Sequence, residues 1–458
     1  MRPQPLLTPA EMGRADAAAV AAGTPIQVLI DRAAWAIAHA IRQRWSPRRV
    51  LVLAGPGNNG GDGIDAARLL AGWGWPVSVA AVGRMPQPWD GARATFSPET
   101  AARADLVIDA LYGAGLTRDI DEPTLTVLRA AREIVAIDVP SGVDGATGAV
   151  RGGAVQAALT VTFHRRKPGH LLLPGRDRCG TLVLADIGLP APSDPKTWVN
   201  APGLWTLPTL AGDAHKYTRG TVTVLGGAAM TGAARLAAVA ARRAGAGLVS
   251  IAATGGAEIY RAGEPGTIVL DAPLPELLDD ARRKIWVCGP GLGHDAANNA
   301  LPILLAAGRC VVVDADALTA CAGSPERLRG SSVLTPHAGE FSRVFGPIGD
   351  DKPSAARRAA ALTGAVVVLK GSDTVIAAPD GRLAINHDAP PWLATAGSGD
   401  VLSGIVAGLL AQDMPAWDAA CAAVWLHGRA GIHAGEGLIV EDLPPALPAA
   451  LRDARRDA

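Results

Sequence analysis

Short runs of β-branched and other apolar residues alternate with alanine-rich stretches along both halves of the chain. Several of these runs are apolar throughout, as expected for strands that helices cover on both faces. Helical patterns at residues 64–70 and 125–132 fall between them. This alternation predicts an α/β fold. The predicted strands of the first half are residues 50–54, 77–82, 106–109, 134–138, 159–163 and 182–185.

The pattern stops between residues 189 and 212, where five prolines interrupt it. We therefore expect a domain of residues 1–200, a linker of residues 201–213 and a second domain of residues 214–458. In the second half, a long helix at residues 233–244 ends at Gly-Ala-Gly, a suitable C-terminal cap. The predicted strands of this half are residues 221–225, 248–253, 285–288, 311–314, 366–369 and 375–378.

The composition excludes several classes of function. The 43 basic and 43 acidic side chains balance and form no basic block, so we expect no nucleic-acid partner and no membrane surface. The five cysteines are scattered without a Cys-x-x-Cys pair, which argues against a disulfide framework or a zinc site. No signal-peptide pattern is visible, and no apolar run reaches the roughly 20 residues of a membrane span. We expect a cytoplasmic homo-oligomer that acts on small molecules.

The first half carries a glycine-rich loop, Gly-Pro-Gly-Asn-Asn-Gly-Gly-Asp-Gly, directly after its first predicted strand, at residues 55–63. A strand, a glycine loop and a helix in this order form an anion-binding arrangement. Two later strands end in Asp109 and Asp138, each followed by a glycine turn. Because ligands of an open parallel sheet bind beyond the carboxyl ends of its strands, we expect Asn59, Asp109, Asp138 and Ser141 to converge on one crevice. Each acid alone could equally cap its own turn.

The second half carries Gly-Ser-Gly-Asp at residues 397–400, where an apolar helical segment begins. Gly397 and Gly399 allow the backbone to approach a ligand, and the amides that open the helix would face a transferring phosphoryl group. Asp400 would then take the proton of a substrate hydroxyl. Upstream, a buried strand leads into Lys370 and neighbouring hydroxyls suited to the same nucleotide. The two motifs predict nucleotide-dependent phosphoryl chemistry, although Gly-Ser-Gly-Asp alone is more often a capped turn.

Taken together, the motifs resemble known families in both halves. The first half is similar to NAD(P)H-hydrate epimerases, through Gly-Asn-Asn-Gly-Gly-Asp-Gly, Asp-x-Leu-x-Gly-x-Gly-Leu, Asp-Val-Pro-Ser-Gly, Lys-Pro-Gly-His, Leu-Pro-Gly and Asp-Ile-Gly. The second half resembles the ribokinase-like NAD(P)H-hydrate dehydratases, through His-Lys-Tyr-x-Arg-Gly, Gly-Pro-Gly-Leu-Gly, Thr-Pro-His-x-Gly-Glu-Phe, Lys-Gly-Ser-Asp-Thr and the Gly-Ser-Gly-Asp end. The resemblance covers nearly the whole chain. It implies a Rossmann-like three-layer αβα domain followed by a ribokinase-like αβα domain.

The resemblance also implies an activity, the repair of hydrated nicotinamide cofactors. NADH or NADPH that has taken up water on its nicotinamide ring exists as R and S epimers. The epimerase interconverts them. The dehydratase consumes ADP or ATP to return the S form to NAD(P)H, releasing phosphate and AMP or ADP.

For the N-terminal domain, the resemblance implies a catalytic aspartate, Asp138, and a potassium ion held by Asn59, Asp109 and Ser141. Oxygen donors of this kind suit a hard cation. The implied contacts to the hydrated dinucleotide are Asn58, Asn59, Gly60, Gly61, Asp62, Gly113, Ala114, Gly115, Leu116, Thr117, Arg118, Asp119 and Asp138.

For the C-terminal domain, Asp400 is the implied catalytic base, acting with Mg²⁺ and with ADP or ATP as phosphoryl donor. Phosphorylation would turn a ring hydroxyl, itself a poor leaving group, into one that can be eliminated. The implied substrate contacts are Ala233, Gly291, His337 and Asp400, and the implied nucleotide contacts are Lys370, Gly371, Ser372, Asp373, Thr374 and Gly399.

Three stretches depart from the family pattern. Residues 30–34 read Ile-Asp-Arg-Ala-Ala where Met-Glu-x-Ala-Gly is usual, and Asp65 stands where an apolar residue is expected. Residues 387–393 replace the common Asn-Pro-Gly-Met stretch. The first two departures concern substrate contact or dimer packing, and the third concerns the shape of the nucleotide loop.

The alternative hypothesis is a ribokinase-like sugar or vitamin-precursor kinase with a binding or scaffold domain at its N-terminus. Such kinases share the Gly-Ser-Gly-Asp end, so the fold alone does not separate the two readings. The motif Thr335-Pro336-His337 favours the dehydratase. Turnover with ADP would also favour it, because an ordinary kinase requires ATP.

Overall fold

The chain forms two compact units in a computed structural model that describes residues 2–458. One unit comprises residues 5–197, and the other comprises residues 198–458 together with the segment that ends at Gln4. The division lies slightly before the expected boundary at residue 200. Within the expected linker, Trp205 and Leu207 are buried in the hydrophobic core of the second unit. Part of that stretch is therefore core rather than a free connection.

The N-terminal unit contains one sheet in which every neighbouring pair of strands is parallel. Its strands are β1 (Val50–Ala54), β2 (Val77–Ala81), β3 (Ala92–Arg93), β4 (Leu106–Ala110), β5 (Ile134–Ile137), β6 (Leu159–Phe163) and β7 (Thr181–Ala185). The strand order is β3-β2-β1-β4-β5-β6-β7, so the chain reverses its direction across the sheet between β1 and β4. Such a reversal opens a crevice at the carboxyl ends of the strands.

Six α-helices belong to this unit. They are α1 (Pro9–Ala21), α2 (Ile26–Arg44), α3 (Asn58–Gly72), α4 (Pro98–Arg103), α5 (Glu122–Arg129) and α6 (Gly175–Arg178).

Helix α3 begins six residues earlier than the pattern of apolar residues predicts, at Asn58 instead of residue 64. Its first turn is rich in glycine because it packs against neighbouring backbone and side chains. A Cβ atom at Gly60 would lie 2.0 Å from the carbonyl oxygen of Gly55, and one at Gly63 would lie 2.5 Å from Cβ of Ala110. Small residues therefore allow the helix to start directly over the ends of β1 and β4.

The C-terminal unit contains a second sheet, of ten strands. Its strands are β8 (Thr197–Val199), β9 (Thr221–Gly226), β10 (Leu248–Ala253), β11 (Ile268–Leu270), β12 (Ile285–Cys288), β13 (Cys310–Val313), β14 (Val333–Leu334), β15 (Val366–Leu369), β16 (Thr374–Ala377) and β17 (Leu383–Asn386). They are arranged in the order β11-β10-β9-β12-β13-β14-β15-β16-β17-β8. The pairs from β11 through β15 are parallel, and β16 pairs antiparallel with both β15 and β17.

Ten α-helices belong to this unit. They are α7 (Thr231–Arg243), α8 (Ala257–Arg261), α9 (Leu274–Leu278), α10 (His294–Ala306), α11 (Ala315–Thr319), α12 (Ala338–Phe345), α13 (Lys352–Thr363), α14 (Ser398–Leu410), α15 (Ala416–Ala434) and α16 (Leu443–Asp457). Helix α14 lies in the interior of this unit, since every residue from Val401 to Leu410 is buried. Gly404 and Gly408 lie against the backbone of α7, where a Cβ atom would be 2.2 Å and 2.6 Å from the carbonyl oxygens of Ala237 and Ala241.

The predicted α/β class is confirmed, and the predicted strands are present with ends that differ by one residue at most. The strands that the pattern missed are β3, β8, β11, β14 and β17, each of two to four residues. Among residues 2–458, no helix has the length and apolar character that crossing a membrane requires.

Candidate active sites

The N-terminal candidate site lies at the carboxyl ends of β1, β4 and β5. Asn59 is in the first turn of α3, Gly113 follows β4, and Asp138 follows β5. A Cβ atom at Gly113 would lie 3.4 Å from both Oδ1 of Asn59 and Oδ2 of Asp138. The amide of Ala114 donates to Oδ2 of Asp138 at 3.0 Å. The structure therefore brings the three predicted segments together around a glycine that leaves room between two polar side chains.

Asp138 has a left-handed backbone conformation, with φ of 67°. A residue other than glycine is strained there and persists only when its surroundings fix it. Thr162 Oγ1 and Lys167 Nζ both donate to Oδ1 of Asp138, at 3.0 Å and 2.6 Å. Nε2 of His170 lies 2.7 Å from the backbone oxygen of Asp138. Side chain and backbone are thus both held, as a functional group in a strained position requires.

The charge of Asp138 is fixed by its lysine partner. Burial by itself would raise the pKa of this carboxyl, but the charge and hydrogen bond of Lys167 lower it to about 2. Burial and the same lysine lower the pKa of His170 to about 4. Since Nδ1 of His170 accepts from the amide of Lys167 at 2.9 Å, Nε2 carries the proton of the neutral ring. The site therefore holds a carboxylate and a neutral imidazole near pH 7.

Asp109 and Ser141 form a second, fully buried pair. Ser141 donates its hydroxyl to Oδ1 of Asp109 at 2.6 Å and its amide to Oδ2 at 2.8 Å, and the amide of Leu111 lies 3.3 Å from Oδ1. Burial raises the pKa of Asp109. Among residues 2–458, no cationic side chain pairs with this carboxylate, unlike Asp138.

Asp62, on α3, and Asp16, on α1, extend the acidic character of the site. Burial first, and the charge of Asp138 second, raise the pKa of Asp62 to about 7. Burial raises the pKa of Asp16, which Lys167 partly opposes. Nothing in the sequence of α1 distinguishes Asp16 from other acidic residues, so only the structure places it near Asp138 and Lys167.

The end of the loop after β4 makes its described contacts with residues other than Asp138. The guanidinium of Arg118 lies over the ring of Tyr112, 5.9 Å from its centroid. The Cβ of Asp119 lies 3.1 Å from where a Cβ at Gly152 would be. No described contact joins Leu116, Thr117, Arg118 or Asp119 to Asp138, so their predicted role stays a prediction.

The C-terminal candidate site centres on Lys370, which follows β15. Its Nζ donates to Oδ1 of Asp314 at 2.8 Å and lies 3.9 Å from Oε2 of Glu340. Although burial opposes the charge, these two acids raise the pKa of Lys370. Ser403 of α14 donates to the other oxygen of Asp314 at 2.6 Å. Lysine and aspartate are thereby fixed at the edge of the sheet.

Asp400 lies in the first turn of α14, where the amides of the helix N-terminus are not used by the helix itself. A Cβ atom at Gly399 would lie 3.2 Å from Nζ of Lys370, so the glycine allows the lysine to approach this turn. Burial and the charge of Asp314 raise the pKa of Asp400 to about 6, against the effect of Lys370. The carboxylate is therefore a better proton acceptor than an ordinary aspartate and is still ionised at neutral pH.

His337 caps helix α12. Its Nδ1 accepts from the amides of Gly339 and Glu340 at 2.9 Å and 3.3 Å, and its own amide donates to Oε2 of Glu340 at 2.8 Å. The strand segment at His337 pairs with Lys370 through an isolated parallel bridge. More than half of the side chain is exposed, so the ring can also meet a ligand.

Gly291 and Ala233, the other two predicted substrate contacts, lie against each other. Gly291 has φ of 61°, and a Cβ atom there would lie 2.3 Å from the oxygen of Met230 and 3.0 Å from Cβ of Ala233. Nearby, a Cβ atom at Gly289 would lie 1.8 Å from the oxygen of Asp314. The glycine loop after β12 therefore packs against the strand end that carries Asp314.

The structure adds residues that the sequence analysis left without a role. Lys167, His170, Asp314 and Glu340 all contact predicted site residues directly. Asp314 was visible only as the last residue of a predicted strand, and Glu340 only as a letter of a motif. Among residues 2–458, no group of three or more His, Cys, Asp or Glu residues has a geometry suited to a metal ion.

Each unit matches a known protein family. Residues 222–451 match the family NAD(P)H-hydrate dehydratase, and residues 26–169 match the family YjeF-related protein N-terminus. The bifunctional NAD(P)H-hydrate repair enzyme of Mycobacterium tuberculosis is 40% identical over 89% of each chain. That of Moorella thermoacetica is 36% identical over 98% of this chain and 97% of its own.

A solved structure of the ADP/ATP-dependent NAD(P)H-hydrate dehydratase from Bacillus subtilis, co-crystallised with ATP and Mg²⁺, also matches. It is 32% identical and covers 54% of this chain and 95% of its own, with a TM-score of 0.49.

Proposed function

Since the chain belongs to the family of bifunctional NAD(P)H-hydrate repair enzymes, we propose that it repairs hydrated NADH and NADPH in two steps. The N-terminal unit interconverts the R and S hydrates. The C-terminal unit dehydrates the S form with ADP or ATP. The observation that carries the proposal is that each unit has its own buried acid and lysine centre at the carboxyl edge of its own sheet.

In the N-terminal unit, Asp138 is the group on the reacting ring. Its pKa of about 2 makes it a weak base but a permanent anion. Loss of the ring hydroxyl as water leaves a cationic, planar ring, which a fixed carboxylate stabilises. Asp62, whose pKa is about 7, is suited to protonate that hydroxyl and to take the proton back when water adds to the opposite face.

The donors expected for potassium fit a weakly held cation. Asp109 is a buried carboxylate without a paired cation, and a monovalent ion would neutralise it. Oδ1 of Asn59 and the hydroxyl of Ser141 add neutral oxygens. Nδ2 of Asn59 is buried without a partner among the described residues, so it can donate to a substrate oxygen. When bound, the cation supplies positive charge that orders the loop after β4.

The potassium assignment is tested by Asp109→Ala. We expect the epimerisation rate to fall by about tenfold or more, because buried ligands and their supports typically cost 10–100-fold when removed. The stimulation of epimerisation by K⁺ over Na⁺ should disappear with it. A variant that epimerises at the normal rate and still responds to potassium would contradict the assignment. Thermal unfolding of the variant, compared with that of the parent protein, reports on the fold of the N-terminal unit.

In the C-terminal unit, Asp400 takes the proton of the ring hydroxyl while the hydroxyl oxygen attacks the terminal phosphorus of the nucleotide. The amides at the start of α14 and Lys370 meet the charge on the transferred group. As the new oxygen–phosphorus bond forms, the bond from the terminal phosphorus to the rest of the nucleotide breaks and AMP or ADP leaves. The ring carbon–oxygen bond of the phosphorylated hydrate then breaks, phosphate leaves with the bonding electrons, and loss of a proton from the adjacent carbon restores the ring double bond.

A Mg²⁺ ion fits this unit as a companion of the nucleotide. Magnesium usually takes one or two carboxylates together with substrate phosphates. Asp316 would hold the ion. Its side chain is half-buried, and its Oδ2 accepts a hydrogen bond from the amide of Gly293. The ion supplies charge neutralisation for the phosphates.

The decisive experiment incubates the purified full chain with mixed R and S NADH hydrates, with and without ADP or ATP, and follows the absorbance of the restored dihydronicotinamide. We expect complete conversion of both epimers with nucleotide and none without it. Dehydration that stops after the S form would refute the epimerase half. A protein that phosphorylates a sugar with ATP but leaves the hydrates unchanged would instead support the kinase alternative.

A further inference from the structure

Lys352 lies outside every predicted motif, at the first position of α13. Its Nζ donates to the backbone oxygen of Asp373 at 2.8 Å and to Oδ1 of Asp373 at 2.6 Å. The two side chains are largely buried, with 18% and 10% of their surfaces exposed. Lys352 thus reaches from a neighbouring helix onto residues 370–374, which we call the nucleotide loop.

The nucleotide loop is also closed from within. The hydroxyl of Thr374 donates to the oxygen of Gly371 at 2.7 Å, and the amide of Gly371 lies 3.2 Å from the same hydroxyl. A Cβ atom at Gly371 would lie 2.9 Å from Nζ of Lys352 and 3.2 Å from Oδ1 of Asp373. An alanine there would fit only if the ammonium moved away. The space that Gly371 leaves is therefore occupied by the Lys352 ammonium.

The two lysines of this region have different tasks. Lys370 directs its ammonium toward Asp314 and the turn that carries Asp400. Lys352 directs its ammonium to the loop itself. Without Lys352, the carboxylate of Asp373 would lose this ion pair, and its negative charge would act more strongly against the phosphates that the segment is expected to meet.

From this geometry we propose that Lys352 is a positioning residue for the nucleotide. It holds the loop in place through the backbone oxygen of Asp373, and it neutralises the Asp373 carboxylate, so that the loop can accept a nucleoside di- or triphosphate. The inference rests on the proposed dehydratase function for its substrate, but the ion pair and its effect on nucleotide binding can be measured without the hydrate.

The test compares the full chain with Lys352→Met, Asp373→Asn and the double variant. In Lys352→Met we expect the Kd for ADP or ATP, measured by calorimetry, to rise about tenfold, which corresponds to about 1.4 kcal/mol. In the dehydratase assay, KM for the nucleotide should rise equally while kcat stays within about twofold. In the double variant the carboxylate is gone as well, so much of the affinity should return, and the two effects should not multiply.

Two controls separate positioning from general damage. Arg261→Met removes an exposed ion pair with Asp271 elsewhere in the same unit and should leave nucleotide affinity unchanged. Lys352→Arg keeps the positive charge and should recover part of the lost affinity. The epimerase rate of each variant reports on the integrity of the rest of the chain.

The proposal is overturned if Lys352→Met binds nucleotide as the parent does, if kcat falls while KM stays constant, or if the effects of the two single substitutions multiply. Failure of the proposed function would look different, since the parent protein itself would then leave the hydrates unchanged whatever its affinity for the nucleotide.

Discussion

The two units each place an aspartate beside a lysine, yet the two aspartates differ in their acid strength. Lys167 contacts Asp138 directly at 2.6 Å, and the pKa of that carboxyl is about 2. In the other unit Lys370 forms its ion pair with Asp314, at 2.8 Å, and the pKa of Asp400 is about 6. The difference comes from which acid the lysine holds.

The comparison shows how similar residues serve different chemistry. A carboxylate bound to its own lysine is a fixed negative charge, suited to stabilise a cation and poorly suited to take a proton. When the lysine pairs with a neighbouring acid instead, the pKa of the carboxyl stays closer to physiological pH. A general base needs a pKa in that range.

Asp400→Asn should separate the two activities most strongly. An amide cannot accept the hydroxyl proton, and loss of a positioned base typically costs about 10²–10⁴-fold in rate. We expect dehydration to fall by that factor, with nucleotide affinity by calorimetry and the epimerisation rate largely kept. Near-normal dehydration in this variant would show that Asp400 is not the base.

Lys167→Met should raise the pKa of Asp138 toward that of Asp400. Without the ammonium, burial dominates and the pKa of Asp138 rises, so a fraction of the carboxyl is neutral at low pH. We expect roughly tenfold slower epimerisation at neutral pH, because the carboxylate loses the hydrogen bond from Lys167 that orients it, and hydrogen bonds to charged groups contribute about 1.5–3 kcal/mol. The rate should fall further as the pH decreases.

The matched control for this variant is Lys196→Met, which removes a half-exposed ion pair with Asp194 in the same unit. It should leave both the rate and its pH dependence unchanged. If Lys167→Met is slow but shows the pH dependence of the parent protein, the lysine would act on something other than the charge of Asp138.

Asp314→Asn should lower the pKa of Asp400 toward that of Asp138. The substitution removes a repelling charge and releases Lys370, and both changes favour the ionised form of Asp400, so its pKa falls. In the proposed mechanism Asp400 acts in its deprotonated form, so the dehydration rate of the parent protein should decline below about pH 6. We expect this decline to shift to lower pH by about one unit in the variant.

The measurement is the pH dependence of the dehydration rate at saturating nucleotide, with Asp271→Asn as an exposed control from the same unit. A decline that stays at the same pH in Asp314→Asn would mean that Asp314 does not set the acid strength of Asp400.

Much of the fold was predictable because the apolar runs of the strands are local. The motif residues Asn59, Asp138, Lys370 and Asp400 were found because glycine loops and strand ends mark them. Their partners were not, because the contacts join distant positions. Lys167 lies 29 residues from Asp138, and Lys370 lies 56 residues from Asp314. The start of α3 was misplaced because close packing, rather than helix propensity, determines it.

The short strand β8 limits where the chain can be cut to give a C-terminal fragment. Strand β8 lies at the edge of that sheet, next to β17. A fragment that begins at residue 214 would lack β8 and the buried Trp205, leaving the backbone groups of β17 open to another copy, which is a common route to aggregation. The segment that joins the two units therefore covers the edge of the second sheet and fills part of its core. A C-terminal fragment intended to fold by itself should begin no later than Thr197.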